Sequence, residues 1–229
     1  MKMKVLITVG CLILSLATAM GQQSEVRNIG TFRGIKSAEA IDVYLKKGEK
    51  ESVKVVSDRD LSEVITEISG SYLKIHIRDD IKSSKSKSVK VYVTYVAIDK
   101  ISASSASNVF SDGVITGGAM EIHASSAANI ELNLDMTSVE VHVSSAGDVV
   151  IEGKAKTIKA EASSAGEVDA YNFQTESAQA DVSSGASVKI SVTDELEAHA
   201  SSGGSIRYRG NPKKSNTNSS SGGSVTRSN

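Results

Sequence analysis

A short phrase recurs seven times down the second half of this chain: Ser-Ser, two small residues, a polar residue, then an aliphatic one. Its first serines are Ser104, Ser125, Ser144, Ser163, Ser183, Ser201 and Ser220, so the steps are 21, 19, 19, 20, 18 and 19 residues. A period of this size marks a chain that stacks one small supersecondary unit on the next.

Each unit has a readable interior. The residues three and one before the first serine are Ile101 and Ala103, Ile122 and Ala124, Val141 and Val143, Ala160 and Ala162, Ala180 and Val182, and Ala198 and Ala200. In a strand those two positions share a face. Five residues after the serine stands another aliphatic: Val109, Ile130, Val149, Val168, Val188, Ile206 and Val225. The unit is therefore strand, tight corner, strand. Corners stacked on identical corners leave no room for large side chains, which explains the Ser, Gly and Ala. In-register stacking puts equivalent residues about 4.8 Å apart. The fold class is all-β: a β-helix, or β-solenoid, of coils about 19 residues long. The Ser/Gly/Asn-rich seventh repeat reads as its polar cap.

Residues 22–97 lack the period but alternate in the manner of half-buried strands, as in Ile41, Val43 and Leu45 or Val89, Val91 and Val93. They form an irregular β-rich segment leading into the repeat region at 98–229, or else the first, less regular coils of one stack. Leu61, Val64, Ile65 and Ile68 sit at helical spacing, so that stretch is open between a short helix and a strand. Lys82, Lys85, Lys87 and Lys90 read as a solvated loop running into an edge strand.

Composition narrows the setting. Lys2 and Lys4, the apolar run Val5 to Leu16 and Ala17-Thr18-Ala19 together have the form of an export signal over 1–19. Acylation at Cys11 is the lesser alternative, because Thr8-Val9-Gly10-Cys11 makes a poor lipobox. Cys11 is the single cysteine, so a chain cut after Ala19 has no disulfide and no thiolate metal ligand. Cleavage takes two of the 26 basic residues and none of the 27 acidic ones, a balance of about −3. That gives no electrostatic footprint for nucleic acid or anionic membrane, and no second apolar stretch is long enough to span a bilayer. The expected location is exported, in the periplasm or at the cell surface.

The chain resembles a known family. Phe32-Arg33-Gly34-Ile35, the strand Ile41-Asp42-Val43-Tyr44-Leu45 ending in Lys47-Gly48, and Leu73-Lys74-Ile75 match its first part. The small-residue corners and Ile206-Arg207-Tyr208-Arg209-Gly210-Asn211-Pro212 match its stacked part. This is similar to the putative auto-transporter adhesin head, GIN domain family, common in exported proteins of Bacteroidetes. Family corners are more often Ser-Gly-Ala, and Val96-Ala97-Ile98 replaces a proline often found before the first repeat. The resemblance implies a β-helical fold and an adhesive role, and it supplies no catalytic residues.

Three candidate chemistries present themselves. The serines recur as equivalents, whereas nucleophilic catalysis needs one specialised copy with its base and oxyanion donors, so a structural role is expected. The position two before the serine runs Ser102, His123, His142, Glu161, Asp181, His199, Asn218 on the outward face. The simpler reading is an exposed polar column. The sharper one is a divalent-metal ligand set from His123, His142, Glu161, Asp181 and His199. The column four before the serine, Lys100, Glu121, Glu140, Lys159, Gln179, Glu197 and Asn216, joins it to make a polar, fairly acidic face.

The expected function is a non-enzymatic binding or structural module without cofactor, adhesion leading, with a surface glycan or protein as partner. A periplasmic scaffold or regulatory module is the alternative. A carbohydrate-active β-helix enzyme is disfavoured by the scarcity of aromatic sugar platforms. End-to-end or side-by-side pairing of copies is left open.

Overall fold

The computed structural model describes residues 22–80 and 88–228. The export signal at 1–19, Cys11, and Lys82, Lys85 and Lys87 lie outside the described residues. Eight shorter strands come first: β1 (Gln23–Arg27), β2 (Gly34–Ser37), β3 (Asp42–Lys47), β4 (Ser52–Ser57), β5 (Val64–Ser69), β6 (Tyr72–Ile77), β7 (Val89–Tyr95) and β8 (Lys100–Ala103), then the long β9 (Asn108–Ala124). The remainder are β10 (Asn129–Val143), β11 (Asp148–Ala162), β12 (Glu167–Val182), β13 (Ser187–Ala200), β14 (Ser205–Arg209), β15 (Lys214–Ser219) and β16 (Ser224–Arg227). The ambiguous stretch holds both alternatives in miniature: a 3-10 turn at Leu61–Glu63, capped by the Asp60 carboxylate accepting from the Ser62 amide at 2.9 Å, and then β5.

The fold is a β-solenoid of about seven turns. β9 to β13 pair in parallel, each with the next. The unequal steps are absorbed at bulges between Glu131/Asn133, Val150/Gly153, Ala170/Gln174 and Thr175/Ser177, all on the stretch away from the corners. One bulge residue, Gly153, has φ 108° and a backbone so near Leu134 O that no side chain fits. Corners and the strands entering them stay in strict register.

The stack starts earlier than the serine phrase. β2 and β3 form a coil whose corner is Glu39-Ala40, with φ 66° and 55°, close to the 52° and 59° of Ser105-Ala106. This coil lies between β6 and β7 on one side and β8 and β9 on the other, with parallel pairing throughout. Antiparallel strands finish that end: β4 on β7, β1 on β4, and β5 on β6. β7, which carries Lys90, is therefore an interior strand held between β3 and β4, not the edge strand expected of it. Its inward residues Val89, Val91 and Val93 need cover, and coil β2–β3 supplies one neighbour that local pattern does not reveal.

The predicted interior columns are buried except at Val225, which is half-buried on the last coil. Ile101, Ile122, Val141, Ala160, Ala180 and Ala198 are fully enclosed, as are Val109, Ile130, Val149, Val168, Val188 and Ile206. Phe173, the largest fully buried side chain, sits on the coil where the first column has thinned to alanine.

Every serine corner is a type I′ turn. Both central residues have positive φ, and the fourth residue's amide donates to the first serine's carbonyl, as in Gly147 N to Ser144 O at 2.9 Å. The turns are tied to one another by a second ladder in which the third residue's amide donates to the next coil. It runs from Ala40 to Ser105 O, through Ala106 to Ser126 O and onward, to Gly203 donating to Ser221 O. Regular bonding of this kind holds Ser and Ala in a left-handed conformation that glycine or asparagine would adopt with less strain.

Candidate binding face

The strand entering each corner points alternate residues outward, so register turns sequence columns into spatial ones. The column two before the serine is aligned without a break from Lys74 and Lys36 through Ser102, His123, His142, Glu161, Asp181 and His199 to Asn218. Beside it runs Tyr72, Gly34, Lys100, Glu121, Glu140, Lys159, Gln179, Glu197 and Asn216. Both columns thus extend two coils beyond the serine repeats. At that end Lys36 Nζ lies 4.4 Å from the centre of the Tyr72 ring. Gly34 leaves room for this ring, which a Cβ would meet at 2.6 Å.

The charges are paired along and between coils. Within strands, His123 Nε2 donates to Glu121 at 2.6 Å and His199 Nε2 to Glu197 at 3.2 Å, a consequence of Glu-x-His spacing on one strand face. His142 lies between two carboxylates, with Nε2 3.2 Å from Glu140 and Nδ1 3.0 Å from Glu161. Its ring stacks on His123 with centroids 4.7 Å apart. Lys159 Nζ bridges the same carboxylates, 3.1 Å from Glu140 and 2.7 Å from Glu161. Lys100 Nζ lies 2.8 Å from Glu121. The bonds from Lys100 and then His123 hold the Glu121 carboxyl down to about 2, and Lys159 followed by His142 lowers that of Glu161.

Of the five residues considered as metal ligands, the structure brings His123, His142 and Glu161 together. Asp181 instead accepts from Gln179 at 3.3 Å, and His199 stays with Glu197. Glu140 joins the cluster from the neighbouring column: one ligand atom each from Glu140, His142 and Glu161 fall within 4.8 Å of one another. The Lys159 ammonium already lies between the two carboxylates, so a metal there displaces it. Among the described residues the column's imidazoles bond to carboxylates and not to the corner serines, so no serine–histidine pair of a hydrolase is formed. A groove between the histidine column and the first serines runs from His123 to Ser220, and a parallel one follows Lys100, Glu140, Lys159 and Asn216.

The model of the family described as "Putative auto-transporter adhesin, head GIN domain" matches residues 31–212. The chain belongs to this family. Solved structures agree in fold. A putative adhesin from Bacteroides fragilis superposes with a TM-score of 0.83 at 18% identity, covering 90% of this chain and 97% of that one. A putative lipid binding protein from Parabacteroides distasonis gives 0.69 at 16% identity, covering 91% and 97%. A putative adhesin from Parabacteroides merdae gives 0.68 at 17% identity, covering 91% and 96%. No curated protein matches the chain. No helix among the described residues of this GIN domain is long and apolar enough to cross a membrane.

Proposed function

We propose that this GIN domain is an exported, non-enzymatic module that holds a surface glycan or protein along its polar strip. The observation carrying the reading is the strip itself: two adjacent columns of nine aligned residues each, from Lys74 and Tyr72 to Asn218 and Asn216. Such a surface offers hydroxyl, carboxylate, ammonium and imidazole groups repeatedly at the strand spacing, which suits an extended ligand better than a small substrate. Catalysis wants one group set apart from its equivalents, and the strip repeats its groups instead. Export is supported by the basic, apolar and small-residue pattern at 1–19 and by the adhesin head that the family description names.

The test has two arms. Protease treatment of intact cells should cleave a tagged copy, and the mature protein should retain ligands from an array of glycans and matrix proteins. Replacing Glu121, Glu140 and Glu197 together by lysine should abolish that retention with the circular dichroism spectrum unchanged. Protection of the tag until the outer membrane is opened sinks the adhesive reading and leaves a periplasmic scaffold.

A further inference from the structure

The two ends of the stack are finished differently. At one end the strands turn antiparallel to the coils, with β4 on β7, β1 held only by β4 and β5 only by β6. At the other, β15 pairs only with β13 and β16 only with β14, so the last coil has a free edge among the described residues. All six residues of β15 are exposed. The corner ladder also stops there. Gly203 donates to Ser221 O, whereas the equivalent amide of Gly222 has no next coil to donate to among the described residues. Unpaired strand edges are templates for another strand.

Charge says what kind of strand. Between 205 and 228 stand Arg207, Arg209, Lys213, Lys214 and Arg227, with no Asp or Glu. The coils before them, 120–200, hold fourteen acidic residues against four basic ones. Two of the five cations are engaged: Lys213 pairs with Asp194, and Arg209 lies 4.0 Å over the Tyr171 ring. Arg207, Lys214 and Arg227 have no ion pair among the described residues and are exposed. A second copy docked tail to tail would set these cations against their own kind. The side chains along β15 (Ser215, Asn216, Thr217, Asn218, Ser219) offer little apolar area, so selection must come from backbone pairing and charge.

We propose that the β15–β16 edge is a docking site for an extended acidic segment of a partner protein, which adds as the next strand of the stack. This site lies at the end of the solenoid and is separate from the polar strip, so either reading can fail alone.

The probe is a labelled peptide, (Thr-Glu-Val-Glu)3, titrated with the mature protein at low salt and followed by fluorescence anisotropy. Saturable binding is expected, weakened at least tenfold by Arg207→Glu with Arg227→Glu, and accompanied by slowed amide exchange in β15 and β16. (Thr-Lys-Val-Lys)3 should not bind. (Thr-Glu-Pro-Glu)3 keeps the charge but cannot form the ladder, and should bind at least tenfold more weakly. Equal binding of the proline peptide would assign the patch to polyanions in general and overturn strand addition. Absence of binding, slowed exchange elsewhere in the molecule, or concentration-dependent self-association through this edge would each overturn it too. Because both arginines are exposed, an unchanged melting temperature in the double variant separates lost binding from lost fold.

Discussion

Replacing the third corner residue by glycine should stabilise the protein. Ala127, Ala146 and Ala165 hold φ of 60°, 58° and 60°, while the same position is Gly185 and Gly203 in the next two corners, at 71° and 75°. A Cβ built on either glycine meets nothing within 4 Å, so the position offers a side chain no packing to compensate its strain. Left-handed backbone costs an alanine about 1–2 kcal/mol. Glycine gives back about 0.4–1 kcal/mol through the freer unfolded chain. The balance favours glycine by about 0.8 kcal/mol at each corner. Ala127→Gly, Ala146→Gly and Ala165→Gly combined should then gain about 2.4 kcal/mol if they add. For a chain of this size that is a rise of about 5–10 °C in melting temperature. Thermal melts followed by far-ultraviolet circular dichroism read this directly, and Gly203→Ala should fall by about a third as much. A triple variant that melts below the parent would refute the reasoning, because it would mean that methyl groups stacked at the coil spacing outweigh the strain.

Three further outcomes are expected. Phe173→Ala should cost about 3–5 kcal/mol in urea unfolding, since the ring is fully buried where its neighbours have thinned to alanine. Asp148→Asn should stabilise modestly at neutral pH, because it removes the charge from a partly buried carboxylate whose Oδ1 has no hydrogen-bond partner. Burial, and then Glu167 and Asp169, raise this carboxyl above the usual range. The folded form therefore binds the proton more tightly, the stabilising share is present below the unfolded pKa and is lost as pH rises through the folded one, and the variant's advantage should vanish in acid. Finally, Lys159→Gln should free the Glu140–His142–Glu161 cluster, so zinc should raise that variant's melting temperature more than the parent's. Adding His142→Ala should cancel the rise, and no zinc effect in either protein would end the metal reading of the column.

The repeated half of the fold could be read from the chain because its constraint is local. Two residues at positive φ followed by a Cβ-crowded corner demand small side chains, and the alternation around Ile122, Ala124 and Ile130 fixes which face is inside. The Glu-x-His pairs were equally accessible, since i and i+2 share a strand face. The pairing of Lys159 with carboxylates on two columns was not, because it depends on side-chain reach across coils. The corner at Glu39-Ala40 was missed for a different reason: the turn needs positive φ, not serine, and glutamate disguised it. A signal was present, however, in the match of Ile35-Lys36-Ser37-Ala38 to Ile101-Ser102-Ala103-Ser104. The insertion of that coil between two later ones has no local signature at all, and the edge assignment of β7 failed with it.

That insertion divides the molecule into a part that must form all at once and a part that can be counted. The coil of β2 and β3 cannot be completed until both β6–β7 and β8–β9 exist, so contacts spanning some sixty residues close together or not at all. Loop closure of that order makes assembly there slow and cooperative. Beyond β9 each coil rests only on its predecessor, and a rung can be added or removed without disturbing those beneath. The domain therefore has a fixed foundation and an extensible ladder, and differences in length among its relatives should fall after β9.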